Sequence, residues 1–147
     1  MDERVARLQT PEACERFIKN ALRLNERELA DQARRRAVEL RAANYGATST
    51  AEKECLRAIY AYEETLVRKN GKRTRATRTW QMVARLGILA AAERAVNRSV
   101  ETAGYRALAE MGLQEHAFEA VILRHPELFS TEAVERSRER MQKWLGA

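Results

Sequence analysis

Aspartate is nearly missing from this sequence: only Asp2 and Asp31 occur in 147 residues. Hard divalent cations are usually held by convergent carboxylates, with Asp a common donor, so this scarcity speaks against a metal-dependent nuclease. Proline is confined to Pro11 and Pro126, so little interrupts a helix. The two cysteines, Cys14 and Cys55, lie far apart and outside any metal or redox spacing. They read as reduced core thiols of a cytosolic protein. No apolar run approaches the roughly 20 residues that span a bilayer. The N-terminus, MDERVARLQT, carries acids early and has no apolar signal core. A cytoplasmic chain without a membrane partner is therefore expected.

Alanine fills the space left by these absences, with 25 residues against nine aromatics. Helix formers dominate and β-branched runs are lacking, so the expected fold is all-α. A chain of this length fits one domain, residues 1–147, with residues 1–9 a poorly ordered or short helical lead. Seven or eight helices are expected, packed as antiparallel helix hairpins because the connections are short. A faint likeness between Arg23-Leu24-Asn25-Glu26 and Arg124-His125-Pro126-Glu127 hints at solenoid-like stacking.

The first expected helix covers about Pro11 to Leu24, with Thr10 as N-cap and Phe17, Ile18, Ala21 and Leu22 facing inward. The second covers about Glu26 to Asn44, and the third about Ala51 to Asn70. The third has an apolar stripe of Cys55, Ile59, Tyr62 and Leu66 and a stop at Gly71. Shorter helices follow over about Thr77–Leu86, Ile88–Asn97, Glu101–Met111 and Leu113–Arg124. A final helix over about Thr131–Leu145 faces inward through Val134, Ser137, Met141 and Trp144.

The net charge is +6, and it is local. No acid occurs from Thr65 to Ala92, whereas Arg68, Lys69, Lys72, Arg73, Arg75, Arg78 and Arg85 all fall there. Removing these seven leaves 20 of the 27 basic residues against all 21 acids. Such clustering is what a polyanion binder needs, because dense cations displace the counterions of closely spaced phosphates. Arginine outnumbers lysine 22 to five. Its planar fork suits phosphate, although a GC-rich genome gives the same bias. Asn70, Thr74, Thr77 and Thr79 add donors, Gly71 lets the backbone turn, and the next helix offers free N–H groups to an anion. The alternatives are a solvated loop, or one paired with Glu52, Glu54, Glu63 and Glu64, which as exposed pairs contribute only about 0–1 kcal/mol.

Residues 77–97 have helix-turn-helix proportions around Gly87. However, Ala90-Ala91-Ala92 offers nothing that reads a base early in the second helix. Arg94, Asn97 and Arg98 come late and suit phosphate or base edges. Trp80 is either a stacking platform for a base or a core anchor beside Val83 and Ala84. Arg34-Arg35-Arg36 spans most of a helix circumference and reads as a solvated face. His116 and Glu119 lack a third ligand, so His116 reads as a surface residue. Glu63 and Glu64 are adjacent and point apart, so they form no acid/base pair.

No catalytic residue, metal site or cofactor is expected. The expected function is a nucleic-acid-binding module (DNA or RNA) using a basic loop and helix across residues 68–98. It would work alone or beside a catalytic subunit. The alternative is a protein-interaction module that docks an acidic partner or self-associates.

Overall fold

The structure, a computed structural model, describes residues 1–98 and 102–146. The described residues form nine α-helices and no strand: α1 (Glu3–Ala6), α2 (Pro11–Arg23), α3 (Arg27–Tyr45), α4 (Thr50–Asn70), α5 (Thr77–Leu86), α6 (Ile88–Asn97), α7 (Thr102–Glu110), α8 (Phe118–Arg124) and α9 (Thr131–Gly146). Short 3-10 turns cover Gln114–His116 and Pro126–Leu128. The expected all-α single domain is what forms. The expected start of one helix at Glu101 lies outside the described residues. The expected helix from Leu113 to Arg124 is instead a 3-10 turn followed by α8, broken at Ala117, whose backbone is extended (φ −61°, ψ 142°).

Local chemistry explains most of the boundaries. Thr10 Oγ1 accepts the Ala13 N–H at 3.1 Å, with Pro11 opening α2. Ser49 Oγ accepts the Glu52 N–H at the start of α4, and Ser130 Oγ accepts the Ala133 N–H at the start of α9. Gly71 closes α4 in the left-handed region at φ +73°, where a Cβ would be strained.

Helix α4 is the hub. It packs on α3, α6, α7 and α8, and buries Leu56 and Ile59 completely. Each such burial contributes about 1.5–3 kcal/mol. Ala37, Ala58, Ala61, Ala91 and Ala92 are also buried, which lets helix axes come close. Consecutive helices pair most extensively, α2 with α3, α5 with α6 and α8 with α9.

Some expected faces are rotated. Leu22, Tyr62 and Ala84 are exposed, because α2, α4 and α5 turn neighbouring residues toward the core. The α4 stripe runs through Cys55, Ile59 and Glu63, so a carboxylate replaces the expected apolar residue. The Arg34-Arg35-Arg36 run is not a solvated face. Arg34 pairs with Asp31, Arg35 donates to Gly112 O, and Arg36 donates to Leu8 O, tying the N-terminal segment and the end of α7 to α3. No helix among the described residues is long and apolar enough to cross a membrane.

Candidate nucleic-acid interface

Two consecutive glutamates organise the loop before α5. Glu63 and Glu64 are only 2% and 5% exposed, and a buried carboxylate needs partners. Glu63 Oε2 accepts three hydrogen bonds: from Arg75 Nε at 3.0 Å, the Ala76 N–H at 2.8 Å and Trp80 Nε1 at 2.7 Å. Glu64 Oε1 meets Arg41 at 3.0 Å and Arg73 at 3.3 Å, and both arginines also reach Glu15, at 2.6 and 2.7 Å. The loop therefore does pair with α4, but with buried carboxylates rather than exposed ones.

That arrangement occupies part of the cradle expected at the N-terminus of α5. Ala76 is the N-cap there, it has no side-chain oxygen, and its N–H is taken by Glu63. The chain's own anion sits where a phosphate was expected. Trp80 belongs to the same network. Its ring stacks on Tyr45 at 5.7 Å, tilts against Tyr60 at 5.1 Å and carries the Arg75 guanidinium 5.2 Å from its centroid.

The remaining candidate cations divide by location. Arg68 pairs with Glu110 at 2.7 Å on the surface. Lys69 and Lys72 are exposed. Arg78, Arg85, Arg94 and Arg98 come together with Gln81, Met82 and Asn97 around an open groove of about 420 Å³ between α5 and α6.

Helical spacing builds this groove. Thr79, Met82 and Val83 turn α5 inward, which leaves Arg78, Gln81 and Arg85 on its outer side. Ala91, Ala92 and Val96 do the same for α6, leaving Arg94, Asn97 and Arg98 outward. Gly87 joins the helices at φ +95°, ψ 167°, a conformation open essentially to glycine alone. Arg140 on α9 anchors the far end: it donates to Val96 O at 2.5 Å, to Arg98 O at 2.8 Å and to Glu119 at 3.2 Å.

Among the described residues, no carboxylate lines the groove and no acid pairs with any of its four arginines. Among the described residues, the Arg98 guanidinium donates to Met82 Sδ, at 3.4 Å. Arg136, not anticipated from sequence, donates to Asn97 Oδ1 at 2.6 Å. With that oxygen engaged, Asn97 presents its amide N–H groups as donors. The arrangement is chemically a bed of guanidinium and amide donors, suited to anionic oxygens.

Two other clusters lie away from the loop. Glu54 on α4 accepts from Arg124 and His125 on α8. Burial raises its carboxyl, and the hydrogen bonds from His125 and Arg124 outweigh that and hold it low. His116 is not a surface residue. Its side chain is 11% exposed, and burial lowers its pKa from 6.5. Glu119 is buried, and burial raises its carboxyl against the pull of Arg140. The described residues hold no group of three or more His, Cys, Asp or Glu able to bind a metal. Burial pushes the Cys55 thiol up to about 12, which makes it inert at neutral pH.

The fold and groove thus define an all-helical protein with an arginine-lined surface. No protein-family model, curated protein or solved structure matches the chain.

Proposed function

We propose that this chain is a helical nucleic-acid-binding module with no reaction of its own, seating a phosphate backbone on the α5–α6 groove. One observation carries the reading: Arg78, Arg85, Arg94 and Arg98 converge on one groove with no carboxylate lining it among the described residues. Holding four like charges side by side is unfavourable, and a polyanion reverses that cost by releasing its counterions. Lys69, Lys72 and Arg68 lie on the same stretch of chain and extend the positive field. Arg68 can exchange its exposed Glu110 partner for a phosphate, because such a surface pair is worth only about 0–1 kcal/mol. The module acts in the cytoplasm, where its two free buried thiols stay reduced.

Fluorescence anisotropy tests this with labelled duplex DNA, single-stranded DNA, duplex RNA and single-stranded RNA at low salt. At least one polymer binds, and Arg78→Ala/Arg85→Ala/Arg94→Ala weakens that binding by more than about tenfold. The slope of log K against log salt falls by about 1 for each phosphate-binding cation removed. Unchanged affinity in the triple variant, or no binding to any of the four polymers, contradicts the proposal. In the second case an acidic protein partner becomes the better reading of the groove.

A further inference from the structure

One residue of the groove also belongs to a second cavity. Arg98, at the end of α6, lines both the arginine groove and an adjoining cavity of about 380 Å³. Among the described residues, four aromatic side chains line this second cavity, Tyr62 from α4, Tyr105 from α7, Phe118 from α8 and Trp144 from α9, alongside the hydroxyls of Thr65 and Thr79. Tyr105 and Trp144 stack on one another at 4.7 Å with 14° between their planes. Lys69 joins Arg98 in supplying cations. His116 and Glu119 supply polar groups to the same cavity. The volume falls within the range of about 300–1,000 Å³ found for small-ligand sites.

We propose, building on the nucleic-acid reading above, that this cavity receives one unpaired nucleobase from a strand whose phosphates lie on the arginine groove. The ligand is then single-stranded nucleic acid or a locally opened duplex. Three features argue for a base rather than a purely apolar guest. The cavity adjoins the phosphate bed through Arg98, so a nucleotide can place its phosphate on one side of that guanidinium and its base on the other. Aromatic rings stack on any base because every base has a π-face. A neutral His116 offers one donor and one acceptor, which together with the Glu119 carboxyl can meet the hydrogen-bonding edge of a base. The groove supports the same conclusion. Its helix α6 carries three consecutive alanines where a major-groove reader needs base-contacting side chains, so direct duplex readout has no means there.

The test compares three labelled ligands on the full chain: a single-stranded oligonucleotide, the same backbone made of abasic sites, and a blunt duplex. The single strand should bind about tenfold tighter than the abasic backbone, the size of one base–aromatic stack. Trp144→Ala should abolish that preference while leaving abasic binding unchanged. Intrinsic tryptophan quenching by the single strand should persist in Trp80→Phe and disappear in Trp144→Phe. The latter keeps an aromatic ring in place and so separates quenching from loss of packing. Equal affinity for single strand and abasic backbone overturns the base pocket and leaves the groove reading standing. Binding confined to the duplex has the same consequence. No binding to any of the three overturns both.

Discussion

The loop before α5 and the groove between α5 and α6 are built from the same side chain and use it in opposite ways. In the loop, Arg73 and Arg75 are held by Glu64, Glu15 and Glu63, and the backbone of Ala76 shares the Glu63 carboxylate. In the groove, Arg78, Arg85, Arg94 and Arg98 meet no carboxylate among the described residues. The first set fixes the entry to α5 against α4. The second has no such anchor. Charge density along a sequence therefore does not say which cations are available. The carboxylates buried beneath them do.

The largest effect should come from removing the carboxylate that organises the loop. Glu63→Ala leaves Arg75, the Ala76 N–H and the Trp80 N–H without their shared acceptor. Arg75 is 61% exposed and can be solvated, so the cost falls on the two N–H groups, about 1–3 kcal/mol for each left unsatisfied. Urea denaturation should show it as a lower midpoint with an unchanged slope. A stability loss under about 1 kcal/mol would mean that the loop is solvated and that its arginines are as free as those of the groove. Next comes the turn that sets the angle of the groove. Gly87→Ala places a Cβ on a backbone at φ +95° and should cost about 1–3 kcal/mol, with weaker nucleic-acid binding alongside. Wild-type affinity in this variant would show that the angle between α5 and α6 does not matter.

The smallest effect concerns acid. Glu54 has its folded pKa lowered from 4.5, so it contributes stability that is complete above the unfolded value and is lost as pH falls through the folded one. Glu119 has its folded pKa raised from the same value, so its contribution has the opposite sign and declines as pH rises from the unfolded value toward the folded one. Glu54→Gln should flatten the acid side of a stability–pH profile, and Glu119→Gln should remove the decline above it. Glu54 lies outside the loop, the groove and the cavity beside it, so Glu54→Gln should leave the salt slope of binding unchanged. A change in that slope would tie the Glu54 cluster to the interface.

Helix existence was legible in the sequence because alanine content, caps and glycine stops act locally. The bounds of α5 and α6 match the expected ones residue for residue. The 3-10 turn at Gln114–His116 was not legible, because no proline or glycine marks the break at Ala117. The site was legible as charge and illegible as geometry. Arg78 and Arg85 fall in the acid-free stretch, but Arg94 and Arg98 lie beyond it and join them only through the fold at Gly87. The role of Glu63 did leave a trace. It follows Cys55 and Ile59 at spacings of four on one face of α4, so an acid stands in an apolar stripe. That position marks a buried carboxylate in need of cations, and the run just downstream supplies them. Tyr105 and Trp144 sit on distant helices, and no local pattern links them.

If the groove, and not the loop, supplies the cations for a polyanion, the two sets of arginines must separate in their salt dependence. The decisive measurement is therefore the salt slope of nucleic-acid binding in two variants, Arg78→Ala/Arg85→Ala/Arg94→Ala and Arg73→Ala/Arg75→Ala. Each is first shown to be helical and folded at the assay temperature. A slope lower by about 3 is expected in the groove variant, and one close to wild type in the loop variant. The reverse order, with the loop variant losing its slope and the groove variant keeping it, would contradict the assignment of the phosphate bed to the groove.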